Sequence, residues 1–234
     1  MFPLRDTARA RSVPLVNWLL IAVNVVVFLF ESSLGPRQLA AVTATLGLVP
    51  RRLWAYPNLP QFMTILTSMF MHGGWWHLIS NLWVLFIFGD NVEDRMGHFR
   101  YLVFYLLCGV VAALAHAFVS AGSRVPTIGA SGAISGVMGA YVVLFPNARI
   151  LTFVPLWILP TLMEVRALVF IGFWFISQLF NGLFSLAGAA GVRTYGGVAW
   201  WAHLGGFVAG VLVVRLLARR VRREYYYGND WPWW

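Results

Sequence analysis

The sequence predicts an all-α fold, a polytopic membrane bundle of six transmembrane helices with one long interfacial loop between the first and second. Three observations predict it. Of 234 residues, 60% are hydrophobic and only 11% are charged, whereas an ordinary soluble domain is about 45–50% apolar and about 25% charged. The apolar residues are gathered into charge-free stretches near the roughly 20 residues a spanning helix needs. All seventeen basic residues are Arg, set between those stretches instead of along a polar stripe. The net charge of +9 therefore points to lipid headgroups and a bilayer as the counter-charge, and no nucleic acid is expected as a partner. A single cysteine, Cys108, excludes an intrachain disulfide and a thiolate zinc cluster.

Taken in order, the stretches run over residues 12–30, closed by Glu31; about 75–89, before Asp90; 101–123; 131–146, which is short; 167 to about 188; and 198–214. The first begins late, is long and lacks a small-residue cleavage site, so it is expected to remain as a helix. No Asp or Glu falls inside any of the six. The connection from 32 to about 74 carries Leu53, Trp54, Phe62, Phe70 and Met71. That is apolar enough for a half-buried collar lying in the interface.

Basic residues favour the cytoplasmic side. Twelve Arg (Arg5, Arg9, Arg11, Arg95, Arg100, Arg149, Arg166, Arg215, Arg219, Arg220, Arg222 and Arg223) fall on one side and five (Arg37, Arg51, Arg52, Arg124 and Arg193) on the other. Both termini lie on the basic side, which requires an even number of crossings. The expected organisation is a cytoplasmic segment at 1–11, a six-helix membrane domain at 12–217 and a basic, aromatic tail at 218–234. The expected location is a bacterial inner membrane, and the oligomeric state is not readable.

Polar groups at membrane depth are expensive and mark functional candidates. They are His77 and Asn81, one helical turn apart on one face, then His116, Ser131, Ser135, Gln178, Asn181 and His203. Ser131 opens the fourth helix within Gly129-Ala130-Ser131-Gly132, where free N–H groups and the dipole favour developing negative charge. Gly132, Gly136 and Gly139 also form a packing stripe, and Gly206 and Gly210 form another after His203. Small-residue stripes let two helices approach closely, which would bring Ser131 and His203 within reach. A neutral imidazole can then take the hydroxyl proton. The Ser131 N–H, the Asn81 amide and the His77 ring are the available donors for an oxyanion. With no carboxylate at depth, the arrangement is a dyad, and what orients His203 is not evident. Fifteen steps from Ser131 to Pro146 cover roughly 22 Å at about 1.5 Å each, which places Ser131 below the outer boundary of the bilayer.

Three spaced motifs resemble the rhomboid family of intramembrane serine proteases: His72-x4-His77-x3-Asn81, Gly129-Ala130-Ser131-Gly132 and Ala202-His203-x2-Gly206-x3-Gly210. The resemblance covers most of the chain from about Ser12 to Arg220. It implies Ser131 as nucleophile, His203 as general base, and His77, Asn81 and the Ser131 N–H as the oxyanion hole. His72, Gly129, Gly132 and Gly206 would be supporting residues. No cofactor or metal is implied, and the substrates would be transmembrane proteins cut in or near their helices. Two positions depart from what some members show. Ser135 stands where a Tyr stacks on the base, and Phe62-Met63-Thr64 where a Trp-Arg pair anchors the collar.

A metalloprotease would need His-Glu-x-x-His, which is absent. Cys108 and His116 lie about 12 Å apart along a helix, too far for a cysteine dyad. The alternatives are a haem- or quinone-binding membrane protein using His77, His116 and His203, and a non-catalytic rhomboid-like binder, for which loss of Ser131 or His203 is expected. The fifth helix, with Trp174, Gln178 and Asn181, is the candidate substrate gate.

Overall fold

The computed structural model describes residues 2–8, 10–155, 160–187 and 199–218. Arg9, Arg193, the tail beyond 218, and the segment ends near 188 and 198 lie outside the described residues. Six long helices form the bundle: α1 (Leu15–Ser33), α5 (Trp75–Met96), α6 (His98–Val119), α7 (Ser131–Leu144), α8 (Ala167–Ala187) and α9 (Trp200–Leu217). Among the described residues four of these, α1, α6, α8 and α9, are long and apolar enough to cross a membrane. The other two depart for opposite reasons. The apolar helix α7 has only 14 residues, and α5 is 22 residues long but ends in the charged run Asp90 to Arg95.

Two helices run further than their charges suggest, so the expectation of no carboxylate within the bundle is corrected. Helix α1 continues past Glu31, which is 2% exposed and accepts a hydrogen bond from the His72 N–H at 3.0 Å. Helix α5 continues through Glu93, which is fully buried. Its carboxylate accepts from the Val16 and Asn17 N–H groups at 2.9 and 2.7 Å and pairs with His98 Nδ1 at 2.5 Å. Asp94 accepts from the Ser12 N–H and hydroxyl. Glu93 thus satisfies free N–H groups in the first turn of α1, where a negative charge is also favoured by the helix dipole, and Asp94 holds the chain just before that helix. A charge with such partners lengthens a helix instead of ending it.

The 32 to 74 connection is helical: α2 (Pro36–Leu46), α3 (Pro50–Ala55), α4 (Leu59–Thr67) and a 3-10 turn (Ser68–Phe70). Leu48, Leu53 and Ile65 are buried against Ala113 and Ala117 of α6, and Trp54 Nε1 donates to the Ala117 carbonyl at 2.8 Å. Trp54 and Phe62 stay about half exposed, as a collar at an apolar boundary requires.

At the opposite end, three short strands add a feature to the helical bundle that the hydropathy pattern did not reveal. β2 (Arg149–Pro155) and β3 (Pro160–Arg166) pair antiparallel, and β1 (Phe2–Asp6) adds to β2. β1 also grips the bundle. Trp83 Nε1 donates to the Pro3 carbonyl at 2.6 Å, Asn91 Nδ2 to Asp6 Oδ2 at 3.0 Å, and the Tyr141 hydroxyl of α7 donates to the same Asp6 oxygen.

The closest packing is between α7 and α9. A Cβ at Gly206 would stand 1.9 Å from the Gly132 carbonyl oxygen, and one at Gly210 would stand 2.0 Å from that of Gly136. The two stripes therefore meet backbone to backbone, which side chains larger than hydrogen prevent. Cys108 of α6 is fully buried and lies against Gly136, so it fills the core.

Two predictions follow from this packing. Gly210→Val forces α7 and α9 apart and should destabilise by about 1–3 kcal/mol or more, read as a lowered unfolding temperature in detergent. Gly172→Ala, where a Cβ meets nothing within 4 Å, should leave it nearly unchanged. Burial, opposed by the Tyr141 hydrogen bond and reinforced by the charge of Asp90, pushes Asp6 up to about 6. A raised carboxyl binds its proton more tightly when β1 is docked than when it is free, so docking strengthens as pH falls through about 6. Amide-exchange protection in residues 2–6, corrected for intrinsic rates, should be greater at pH 5.5 than at pH 7.5. In Asp6→Asn that difference should vanish.

Candidate active site

Ser131 is the first residue of α7, so the N–H groups of Ser131, Gly132 and Ala133 precede the first intrahelical bond, which Ile134 N makes to the Ala130 carbonyl at 3.0 Å. Gly129 enters this turn at φ +130°, a conformation that side chains rarely adopt. Its N–H is tied to the Ser68 carbonyl at 2.9 Å. A Cβ on Gly129 would also meet the His77 ring at 2.8 Å. The glycine is thus needed twice, for its dihedral and for the approach of His77.

The α7–α9 contact delivers the pair expected from the two stripes. Ser131 Oγ lies 2.7 Å from His203 Nε2. His203 is 8% exposed, and its other ring nitrogen, Nδ1, lies 2.7 Å from Gln178 Oε1 of α8. The rings of Trp174 and Trp200 flank the imidazole, with centroids at 5.8 and 6.3 Å. Ser135 does not touch it. Its hydroxyl instead donates to the Ser131 carbonyl at 2.6 Å, so the aromatic cover on the base comes from α8 and the start of α9.

His77 of α5 approaches the same turn against Gly129, and Asn81 lies one turn further along α5 on the same face. The Gly73 N–H donates to His77 Nδ1 at 3.3 Å. In the neutral ring the proton is then on Nε2, the atom that faces Gly129. Asn81 is 7% exposed, and its Nδ2 has no protein partner among the described residues. An amide donor buried without an acceptor is costly to keep and is available to a ligand oxygen. His72 lies behind, its ring edge-on to that of His77 at 5.2 Å, and its backbone is held by Glu31.

The expected residues fall into three groups. Ser131, His203, His77, Gly129, Gly132 and Gly206 meet at the α7–α9 junction, with Asn81 one turn beyond His77 and His72 behind it. His116, on α6, makes no side-chain hydrogen bond within the described residues. Gln178 had been grouped with Trp174 and Asn181 as a gate, but its side chain is turned inward onto His203 while Asn181 is exposed. The signal that could have identified it was its buried polar position in the fifth segment. Its partner, 25 residues away on another helix, could not be read from spacing. Among the described residues, no three His, Cys, Asp or Glu side chains are grouped as a metal site would require.

The Rhomboid domain family model matches residues 59–220. Over 174 residues, 72% of this chain and 57% of the relative, the sequence is 33% identical to the chloroplastic Rhomboid-like protein 11 of Arabidopsis thaliana. It is 26% identical over 208 residues to the mitochondrial Rhomboid protein 1 of Saccharomyces cerevisiae, covering 81% of this chain and 56% of that one. It is also 28% identical over 141 residues to the human mitochondrial Presenilin-associated rhomboid-like protein, covering 53% and 37%. The chain spans a little over half the length of the first two relatives. With its apolar helices and this match over most of its length, it is an integral membrane protein and belongs to the rhomboid family.

Proposed function

We propose that this chain is an intramembrane serine endopeptidase that hydrolyses peptide bonds in or near the transmembrane helices of membrane-protein substrates. The observation that carries this reading is the 2.7 Å separation of Ser131 Oγ and His203 Nε2, at the start of a helix. In this reading the Ser131 hydroxyl attacks the scissile carbonyl and its proton passes to His203 Nε2. The oxygen that gains charge is received by the Ser131 N–H, the Asn81 amide and His77 Nε2–H. The imidazolium then protonates the leaving amine, the C–N bond breaks, and the acyl group remains on Ser131. Water, deprotonated by the same nitrogen, releases the new carboxylate.

The reading also accounts for the placement of the pair. A peptide bond inside a lipid-buried helix is shielded by its own hydrogen bonds, and hydrolysis needs both water and oriented donors at membrane depth. Non-helical backbone leading into Ser131, shielded by protein, is the kind of setting in which both can be supplied at depth. By the distribution of Arg, both chain ends lie on the cytoplasmic side and Ser131 faces the other. The bacterial inner membrane is the proposed setting, although the relatives are named for mitochondria and chloroplasts. A haem ligand at His203 is disfavoured because both of its ring nitrogens are engaged.

The test is labelling with a serine-directed fluorophosphonate, in which Ser131 Oγ forms a bond to phosphorus and fluoride leaves. Intact protein should be captured at Ser131, and Ser131→Ala and His203→Ala should not be. Equal labelling in Ser131→Ala would refute the assignment. On a helical membrane substrate, Asn81→Ala should lower kcat by up to about 100- to 1000-fold if its amide is a full-strength oxyanion donor.

A further inference from the structure

A serine paired with a histidine is activated in only one of the two neutral forms of the ring. If the proton is on Nδ1, the lone pair of Nε2 accepts the serine hydroxyl. If it is on Nε2, the ring donates to the serine and is no base. Among the described residues no carboxylate reaches His203, so another group there has to choose between these forms.

We propose that Gln178 makes that choice and is the positioning residue of the site; this rests on the protease reading above. The side chain is 6% exposed, and its Oε1 lies 2.7 Å from His203 Nδ1. An amide can present either end, and a flipped Gln178 would offer its NH2 to Nδ1 and select the inactive form. The surroundings forbid the flip. The other end of the amide faces the Trp174 carbonyl at 3.3 Å and the Ser177 hydroxyl at 3.0 Å. A carbonyl can only accept, and the Ser177 hydroxyl already donates to that same carbonyl at 2.6 Å. Both neighbours therefore require a donor, and that end must be the NH2 group.

Each bond then dictates the next. The last turn of α8 before Gln178 sets the amide, the amide acceptor places the proton on Nδ1, and Nε2 is left to accept from Ser131. Trp174 serves twice, through its carbonyl on the amide and through its ring on the imidazole. Every member of the chain is neutral at rest, which suits a site where an unpaired buried charge is costly. A carboxylate in the same place would need further donors.

The decisive experiment compares Gln178→Met, which keeps the length and loses the acceptor, with Gln178→Glu, which keeps an acceptor opposite Nδ1. Two readouts are taken on the full chain in detergent or nanodiscs: the ring-nitrogen NMR signals of His203 in 15N-histidine-labelled protein, and kcat and KM on a helical membrane substrate. The expected result is an Nδ1–H signal in the unsubstituted protein and in Gln178→Glu, with loss or mixing of that form in Gln178→Met. In Gln178→Met, kcat should fall by roughly 10- to 100-fold, the range seen when the group that orients a metal-bound histidine is removed, with KM little changed. An unaltered Nδ1–H signal in Gln178→Met overturns the proposal, as does an Nε2–H signal in the unsubstituted protein. If Gln178→Met fails to fold, the unsubstituted signal and that of Gln178→Glu still decide, because the proposal requires the Nδ1–H form in both. The tautomer readout does not depend on turnover. Failure of the protease reading would appear separately, as absent fluorophosphonate capture at Ser131 with the Nδ1–H form intact.

Discussion

The site depends on the backbone contact between α7 and α9. Inside a bilayer, apolar surface gains little by leaving lipid for protein, so helices are held by close packing and by polar contacts. Gly132 and Gly136 facing Gly206 and Gly210 bring backbone against backbone along that seam. The two helices then lie close enough for a short serine side chain to reach an imidazole. The same glycines serve stability and geometry together, since a contact that held the helices one side chain further apart would also open the 2.7 Å hydrogen bond.

Around this seam, the buried polar groups of α1 and α5 form a second set of constraints. Glu93 receives the N-terminal N–H groups of α1, Asn17 donates to the Leu85 carbonyl and accepts from Tyr101, and Glu31 anchors the backbone at His72. Each of these polar groups would be costly alone in a low-dielectric interior. Joined, they fix how α1 sits on α5. Because α5 carries His77 and Asn81, the position of the donors around Ser131 follows from contacts made far along the same helix.

Much of this was legible in the sequence, and the reason is periodicity. Small residues spaced at helical intervals in the fourth and sixth segments implied their contact, and a serine and a histidine at the edges of those stripes implied each other. The limits of legibility have equally physical causes. Glu31 and Asp90 read as helix ends because a charge in an apolar run is unfavourable unless partnered, and the partners of Glu31 and Glu93, at His72 and at Val16 and Asn17, are distant in the chain. β2 and β3 were hidden because short strands next to long apolar helices carry a weak signal, although Pro155 and Pro160, which pair at the ends of the two strands, are residues of the kind that bound a strand.

Gln178 shows the same limit at the site itself. Its residue type and depth marked it as functional, yet a glutamine can donate, accept or line a gate, and only its neighbours decide among these. Once the Trp174 carbonyl is known to lie behind it, the amide has one orientation and His203 one proton position. That no carboxylate among the described residues lies beside His203 then has a physical basis. A neutral acceptor holds the ring without bringing a permanent charge to membrane depth, where isolated charge is most unfavourable. In the proposed reaction, charge arises at His203 only when the serine gives up its proton, and at that moment the proposed donors around Ser131 would receive the opposite charge on the substrate oxygen. In that reaction the two charges would form together at neighbouring groups, so each would be stabilised by the other as well as by the protein.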